Sequence, residues 1–411
     1  MTLAPERASG TLGEAAAAAV AIEEAAAGER ADAPAVAEFF AGIGLVRMGL
    51  ERVGFKVAWA NDIEEDKAQM YRGHFRDEKD HYVVKDIKEV NADHLPNDLS
   101  LAWASFPCID VSLAGNREGL RGEHTGTFWH FYRILQQMEE KQRPPVVVLE
   151  NVTGLATSRE GKDMVETVKA LNRLGYSADV LFIDARHFVA QSRPRLFVVG
   201  AKQPPPNTEV EDTVLRPPRL SSIFADKKLR THRAPLPKLD PVKTEGLADC
   251  VEPLAPDDPQ WWDEKRTAAF LGSLSAGQKA RLDDLRKSSV ISYRTAYRRT
   301  RELVKGEPRV SMWEIRADEI AGCLRTAGGG SSKQALVEAS SNGVRVRWMT
   351  AREYGNLMGA RDYRLNDLRK NQALTGFGDA VCVDAIAWLA EHYLMRLLDP
   401  NDPWVVDRPR D

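Results

Sequence analysis

From about residue 35 to residue 200 the chain alternates short apolar runs with longer amphipathic ones. The apolar runs 35–40, 56–61, 101–105, 146–149, 177–183 and 195–200 read as strands. Between them, 45–53, 65–74, 127–141 and 161–174 carry helical patterns, the last followed by a turn at Gly175-Tyr176. Strands alternating with helices at this spacing predict an α/β fold, a doubly wound and mostly parallel sheet. The pattern then breaks. Residues 203 to 260 are rich in proline and irregular, which marks a change of domain. Helix and sheet character returns from Thr350, with helical patterns over 351–358 and 383–396. Before residue 35 the chain is alanine-rich and acidic without a bulky apolar face. That predicts a disordered or marginally helical tail, or an over-extended translation start.

Composition changes this picture little. The 411 residues leave room for two or three domains, and 43% apolar content supports a real core. A net charge of −3 advertises no nucleic acid, so any basic surface must be local. Residues 281 to 309 supply one, with nine lysines and arginines against four acids and with Tyr293 and Tyr297 interleaved. The bland reading of that stretch is a solvated pair of charged helices. Cys108, Cys250, Cys323 and Cys382 are far apart and form no C-x-x-C pair, so no metal site is expected and free thiols in a reducing compartment are. No uninterrupted apolar run approaches the ~18 residues of a spanning helix, and no signal peptide is read at the N-terminus.

Chemistry enters at the strand ends. Phe39-Phe40-Ala41-Gly42-Ile43-Gly44-Leu45 is a glycine turn between a strand and a helix, where backbone comes close to a ligand. Asn61-Asp62-Ile63 follows the next strand, and an acid there can accept both hydroxyls of a ribose. A dinucleotide fingerprint does not fit, because its third glycine position, 47, is Arg. Pro107-Cys108 ends the third strand, Glu150-Asn151-Val152 the fourth, and Gln191-Ser192-Arg193-Pro194-Arg195 precedes the last. Singly, each has an ordinary reading: a packed cysteine, a helix cap, a solvated loop. A thiol, a carboxylate and two guanidiniums at successive strand ends point together to one site.

In this order the motifs resemble those of the DNA cytosine-5 methyltransferases of bacterial or phage type. The resemblance runs from about Val36 to Leu394, apart from roughly 140 residues before Val346. It implies the class I S-adenosylmethionine-dependent methyltransferase fold with a smaller recognition domain inserted. The corresponding division is a tail (1–34), a catalytic and cofactor-binding domain (35–203), a target-recognition domain (204–345), a return to the catalytic domain (346–396) and a C-terminal tail (397–411). The reaction implied is methyl transfer from S-adenosylmethionine to carbon 5 of a cytosine flipped out of a specific duplex sequence. Cytosine carbon 5 becomes nucleophilic only after a thiolate adds at carbon 6. Cys108 is that thiolate, Glu150 holds the N3 and amino edge, Arg195 binds the O2 carbonyl and Arg193 orients the neighbourhood.

By the same resemblance the cofactor contacts are Phe40, Gly42, Gly44, Asp62, Ile63, Asp86, Ile87, Pro107, Asp379 and Val381. Gly115, Gly119 and Gly122 fit a mobile catalytic loop in which Ser112 contacts DNA; the acid-Ser-Arg triplet frequent in the family is absent from 122–127. The other expected DNA contacts are Arg294, Arg298, Arg299 and Arg301 of the basic run and Gly328 and Gly329 of the glycine turn at 326–330. Ala351-Arg352-Glu353 resembles a segment that organises the recognition domain. Gly376 to Val381 resembles the last cofactor motif, with Asp379 in place of the usual Asn and Cys382 near the usual proline. The expected setting is cytoplasmic: a monomer on double-stranded DNA, away from membranes, with a companion restriction endonuclease as a further partner. Two rivals stay open, a tRNA-methylating relative and a non-catalytic DNA-binding homologue. The inserted domain argues against the first and the retained Cys108, Glu150, Arg193 and Arg195 against the second.

Overall fold

The computed structural model describes residues 33–77, 79–107, 126–206, 214–302, 306, 308–326 and 332–406. The tail before residue 33, Cys108, Ser112, the loop glycines 115, 119 and 122, and Gly328 and Gly329 lie outside the described residues.

Seven strands build the large sheet: β1 (Ala35–Phe39), β2 (Lys56–Asp62), β3 (Tyr82–Val84), β4 (Leu101–Ala104), β5 (Val146–Val152), β6 (Ser177–Asp184) and β7 (Pro194–Ala201). Their order is β3-β2-β1-β4-β5-β7-β6. β1 to β5 pair in parallel, whereas β7 runs antiparallel to both neighbours. The helices are α1 (Leu45–Glu51), α2 (Glu65–Phe75), α3 (Thr127–Gln137), α4 (Lys162–Arg173), α5 (Glu264–Gly272), α6 (Ala276–Leu285), α7 (Ala351–Leu357), α8 (Lys370–Asp379) and α9 (Val383–Leu389). The doubly wound, mostly parallel expectation therefore holds.

β4 is buried along its whole length, and β5 from Val146 to Asn151. Burial on both faces is why these strands read as continuous apolar runs rather than alternating ones. On one face α3 and α4 lay Phe128, Phe131, Ile134, Met164, Val168 and Leu171 against Phe39, Ala102 and Val147. On the other, α1 and α9 pack Val46, Leu50, Ile386 and Leu389 with Val36, Trp103 and Phe197. Two helices differ from the sequence reading. α3 ends at Gln137, where Met138 turns extended. The last helix widens into a π-turn at Ala390–Leu394 before Met395–Leu398. Residues 370–398 are apolar enough on average to span a membrane, yet two-thirds of the relevant window is buried against the core, and Ala380 breaks the run with an extended backbone.

A second sheet of four antiparallel strands has the order β11-β10-β8-β9, made of β8 (Ser292–Arg301), β9 (Val310–Ile315), β10 (Ala335–Ser340) and β11 (Gly343–Trp348). One face packs Ala296, Val337 and Val346 against Phe270 of α5 and Leu282 of α6, with Trp262, Trp313 and Trp348 beside them. The basic run is thus the end of α6 followed by a strand, not a pair of helices.

The expected boundaries shift. Residues 214–236 belong to the large sheet's outer edge: Ala178 N donates to Arg230 O (3.0 Å), His232 N to Ala178 O (3.1 Å) and Phe182 N to Leu215 O (2.7 Å). Arg216 forks onto the buried carboxylate of Asp179 at 2.9 and 2.6 Å. Proline disrupts regular structure but not packing, so composition placed the first boundary too early. The cut at 346 falls inside β11, and Leu397 and Trp404 are buried in the core rather than in a tail.

β1 lies between β2 and β4, so the chain leaves it in opposite directions on its two sides. The crevice outside the carboxyl ends of β1 and β4 is where doubly wound sheets bind ligands. Because β7 is antiparallel, its first residues reach the same rim: Arg195 pairs with Val152 at the end of β5.

Candidate active site

At the end of β1 the chain bends sharply. Phe40, Gly42 and Gly44 have φ of 57°, 55° and 82°. Gly42 and Gly44 adopt this left-handed backbone without a Cβ penalty, whereas Phe40 is a non-glycine exception. A side chain at Gly44 would collide with Tyr71 and Phe75. Asp62, at the end of β2, pins the turn: Gly42 N donates to its Oδ2 (3.0 Å) and Glu64 N to its Oδ1 (3.1 Å). Next to it Ile63 is 60% exposed, a large apolar side chain with no protein cover. Asp86 caps the turn after β3 by accepting from Lys88 N (2.9 Å). Ile87 and Val381, also expected as cofactor contacts, are buried in the hydrophobic core. Carboxylates at the ends of β2 and β3, an exposed apolar side chain and a glycine turn at a topological switch point form a set that fits an adenosine-type ligand.

The second half of the site lies across the rim. Glu150 is buried at the end of β5, with Arg195 Nε 3.1 Å from its Oε1. Burial pushes the Glu150 carboxyl above its ordinary value, against the opposing pull of Arg195, Arg193 and a hydrogen bond from Ser105. Asn151 Nδ2 donates to Phe106 O at 2.9 Å and so ties the end of β5 to the segment entering Pro107. Pro107 is half-buried at this rim. Cys108, the next residue in the sequence, lies outside the described residues.

Arg193 is fully enclosed. Its guanidinium donates to Leu324 O (2.8 Å), Gly378 O (2.9 Å) and Ala380 O (2.5 Å), with Cys323 Sγ at 3.4 Å. It therefore binds chain segments together, and we class it as a positioning residue rather than a catalytic one. Gln191 acts beside it, donating to Leu357 O (2.8 Å) and accepting from Leu324 N (3.2 Å). Gly378 lacks a Cβ where one would lie within 2.3 Å of the Arg325 backbone, so the closing motif and the segment at 323–326 touch directly. Burial alone would push the Cys323 thiol up, but Arg193, Arg195 and Arg325 outweigh it and leave the group below its ordinary value.

Sequence reasoning missed Ser105, Asn151 and Gln191, although the last two lie within motifs it quoted. It also missed the organising ion pair of the second sheet. Glu353 meets Arg347 of β11, both side chains fully buried, and Glu353 also accepts from Glu252 N and Thr350 N. Arg352, the neighbour quoted with Glu353, donates to Arg361 O.

The basic strand does not form one patch. Arg294 is 8% exposed and pairs with Glu319 at 2.7 Å, so it is not a surface contact. Arg299 and Arg301 share Glu314, at 3.7 and 2.6 Å, on the face that carries Tyr297. Arg298 points to the opposite face, the one that carries Trp313.

A profile described as C-5 cytosine-specific DNA methylase matches residues 35–394. The type II methyltransferase M.Bsp6I of Bacillus sp. (strain RFL6) is 31% identical over 168 residues, 40% of this chain and 51% of that protein. The type II methyltransferase M.BsuFI of Bacillus subtilis is 34% identical over 164 residues, 40% of this chain and 38% of its own. The chain thus spans about half the length, or less, of these curated relatives. Among solved structures, the Entamoeba histolytica methyltransferase EhMeth superposes with a TM-score of 0.59 at 16% identity, over 90% of this chain and 99% of that one. The S. pombe Dnmt2 methyltransferase gives 0.55 at 14%, over 89% and 99%. At such identities the likeness is one of fold.

Proposed function

The chain belongs to the C-5 cytosine-specific DNA methylase family, and from that premise we propose that it methylates carbon 5 of a cytosine flipped out of double-stranded DNA. The observation that carries the reading is the buried Glu150–Arg195 pair at the rim beside Pro107, where Cys108 begins. S-adenosylmethionine supplies the electrophilic methyl group, and Gly42, Gly44, Asp62, Ile63 and Asp86 would hold it. The chain's own groups do the rest. The Cys108 thiolate adds to carbon 6 of the ring. Glu150, whose carboxyl burial raises above its ordinary value, gives its proton to N3, so the ring electrons reach carbon 5 without a stranded negative charge. Arg195 holds both the Glu150 carboxyl and the ring's O2. Once carbon 5 carries the methyl, a base removes the carbon 5 proton, the electron pair re-forms the ring double bond, the thiolate leaves and N3 returns its proton to Glu150.

The sequence choice belongs to the second sheet, whose Tyr297–Arg299–Arg301 face is the proposed DNA surface, with Arg298 reaching the duplex only from the other side. The protein works as a cytoplasmic monomer, and a companion restriction endonuclease fits the type II relatives. Duplex DNA carrying 5-fluorocytosine tests the reading, because fluorine blocks the final elimination. Wild type is expected to form an SDS-stable adduct and Cys108→Ser none, since a hydroxyl stays protonated where a thiol ionises. Glu150→Gln should trap slowly rather than not at all. An adduct of wild-type yield in Cys108→Ser would overturn the assignment.

A further inference from the structure

Ser105 stands between the two strands whose ends form the rim. It follows β4 directly, and the parallel register that sets Ala104 against Leu149 brings it beside Glu150. Neighbouring strands lie about 4.8 Å apart, so a short side chain reaches across. On the other flank, β7 sets Phe197 against Glu150 and supplies Arg195, whose Nε is 3.1 Å from Glu150 Oε1. The chain at Ser105 is held in place, because Asn151 Nδ2 donates to the next carbonyl, Phe106 O, at 2.9 Å. The side chain is oriented as well. Trp103, two residues back on the same face of the strand and fully buried, donates its indole N–H to Ser105 Oγ at 3.0 Å. A hydroxyl has one hydrogen to give, and an indole N–H can only donate. The order is therefore fixed: indole to hydroxyl, hydroxyl to the Glu150 carboxyl.

We propose that Ser105 is a positioning residue for methyl transfer, one that holds the Glu150 carboxyl opposite Arg195 and tightens its hold as that carboxyl gives its proton to the ring. The proposal rests on the proton-donor role of Glu150 given above. Ser105 keeps its own proton throughout; the proton that moves goes from Glu150 to N3 and back. As it leaves, a carboxylate forms in a buried site. A hydrogen bond to an ionised acceptor is roughly twice as strong as one to a neutral group, so the Ser105 bond contributes most while the transfer is under way. An interaction that is stronger in the transition state than in the ground state raises the rate and leaves binding alone. The electrostatics run the same way. Burial raises the Glu150 carboxyl, and Arg195, Arg193 and the Ser105 hydrogen bond draw it back toward the range where it can release a proton.

Single-turnover methyl transfer by the full chain separates this from a structural role. The substrates are labelled S-adenosylmethionine and an unmethylated, amplified duplex of mixed sequence, and the rate is followed across pH. Ser105→Ala is expected to slow transfer by about ten- to a hundredfold, the loss of one hydrogen bond to a charged group, with the duplex concentration for half-maximal rate unchanged. The break in the pH–rate profile that Glu150→Gln abolishes should move to higher pH in Ser105→Ala. Ser105→Thr keeps the hydroxyl and should recover most of the rate and the wild-type profile. In a Glu150→Gln background, Ser105→Ala should cost little more, because both changes act on the same proton transfer. Ser105→Ala strands the Trp103 N–H; if it fails to melt cooperatively, Trp103→Phe with Ser105→Ala removes both partners and carries the test. A wild-type rate in folded Ser105→Ala, or an equal loss at every pH with the break unmoved, would overturn the proposal while an impaired Glu150→Gln left the underlying reading intact. Glu150→Gln as fast as wild type, or no transfer by wild type, would overturn both.

Discussion

The residue that best separates what a chain announces from what its fold creates is Glu38. In sequence it is one polar position within β1. In the fold it is 1% exposed, and neither of its carboxyl oxygens has a hydrogen-bond partner among the described residues. Burial drives its carboxyl well above the ordinary value of 4.5, with only Arg47 opposing. A raised folded value gives stability that is complete below the ordinary carboxylate range and is lost as pH rises toward the folded value, because the unfolded chain releases its proton first. The slope is at most about 1.4 kcal/mol per pH unit. Wild type should therefore melt lower at pH 8 than at pH 5, and Glu38→Gln should show a smaller drop, whatever its absolute stability. Parallel melting-temperature profiles for the two proteins would contradict this. Glu150, Asp62 and the glycine turn were legible because strand-end chemistry follows a fixed grammar. Glu38 and Ser105 were not, because their surroundings come from segments far away in the chain.

At the scale of elements, the large sheet was readable and the small one was not. Buried parallel strands write continuous apolar runs, so six of the seven strands stood out; β3, three residues long, is too short to write one. β8 instead buries Arg294, Thr295 and Ala296 in a row and then runs into a mostly basic, more exposed end, and its cover of tryptophans comes from β9, β11 and the segment before α5. A basic composition cannot show which arginines such a strand hides. The geometry divides them. Arg299→Ala with Arg301→Ala should reduce the dependence of log DNA affinity on log salt by about one per lost phosphate contact. Arg294→Ala should leave that slope unchanged and lower stability instead, because it strands Glu319. Equal salt slopes in the double variant and wild type would make the Tyr297 face a solvated surface only.

At the scale of the molecule, one buried guanidinium joins the parts. Arg193, directly before β7, meets the segment at 323–324 between β9 and β10 and holds the carbonyls that close α8. The start of β7, the segment between β9 and β10 and the end of α8 therefore share one side chain. Arg193→Lys keeps the charge but not the planar fork, and chemical denaturation should show a loss of roughly 1–3 kcal/mol; unchanged stability would mean that the segments are held elsewhere. The central claim is the reaction. Wild-type protein is incubated with labelled S-adenosylmethionine and either duplex DNA or transfer RNA, and the nucleosides are then separated by mass. Label is expected in 5-methyl-deoxycytidine from the duplex, and none there with Cys108→Ser. Label only in the RNA, or at an exocyclic nitrogen, would contradict it.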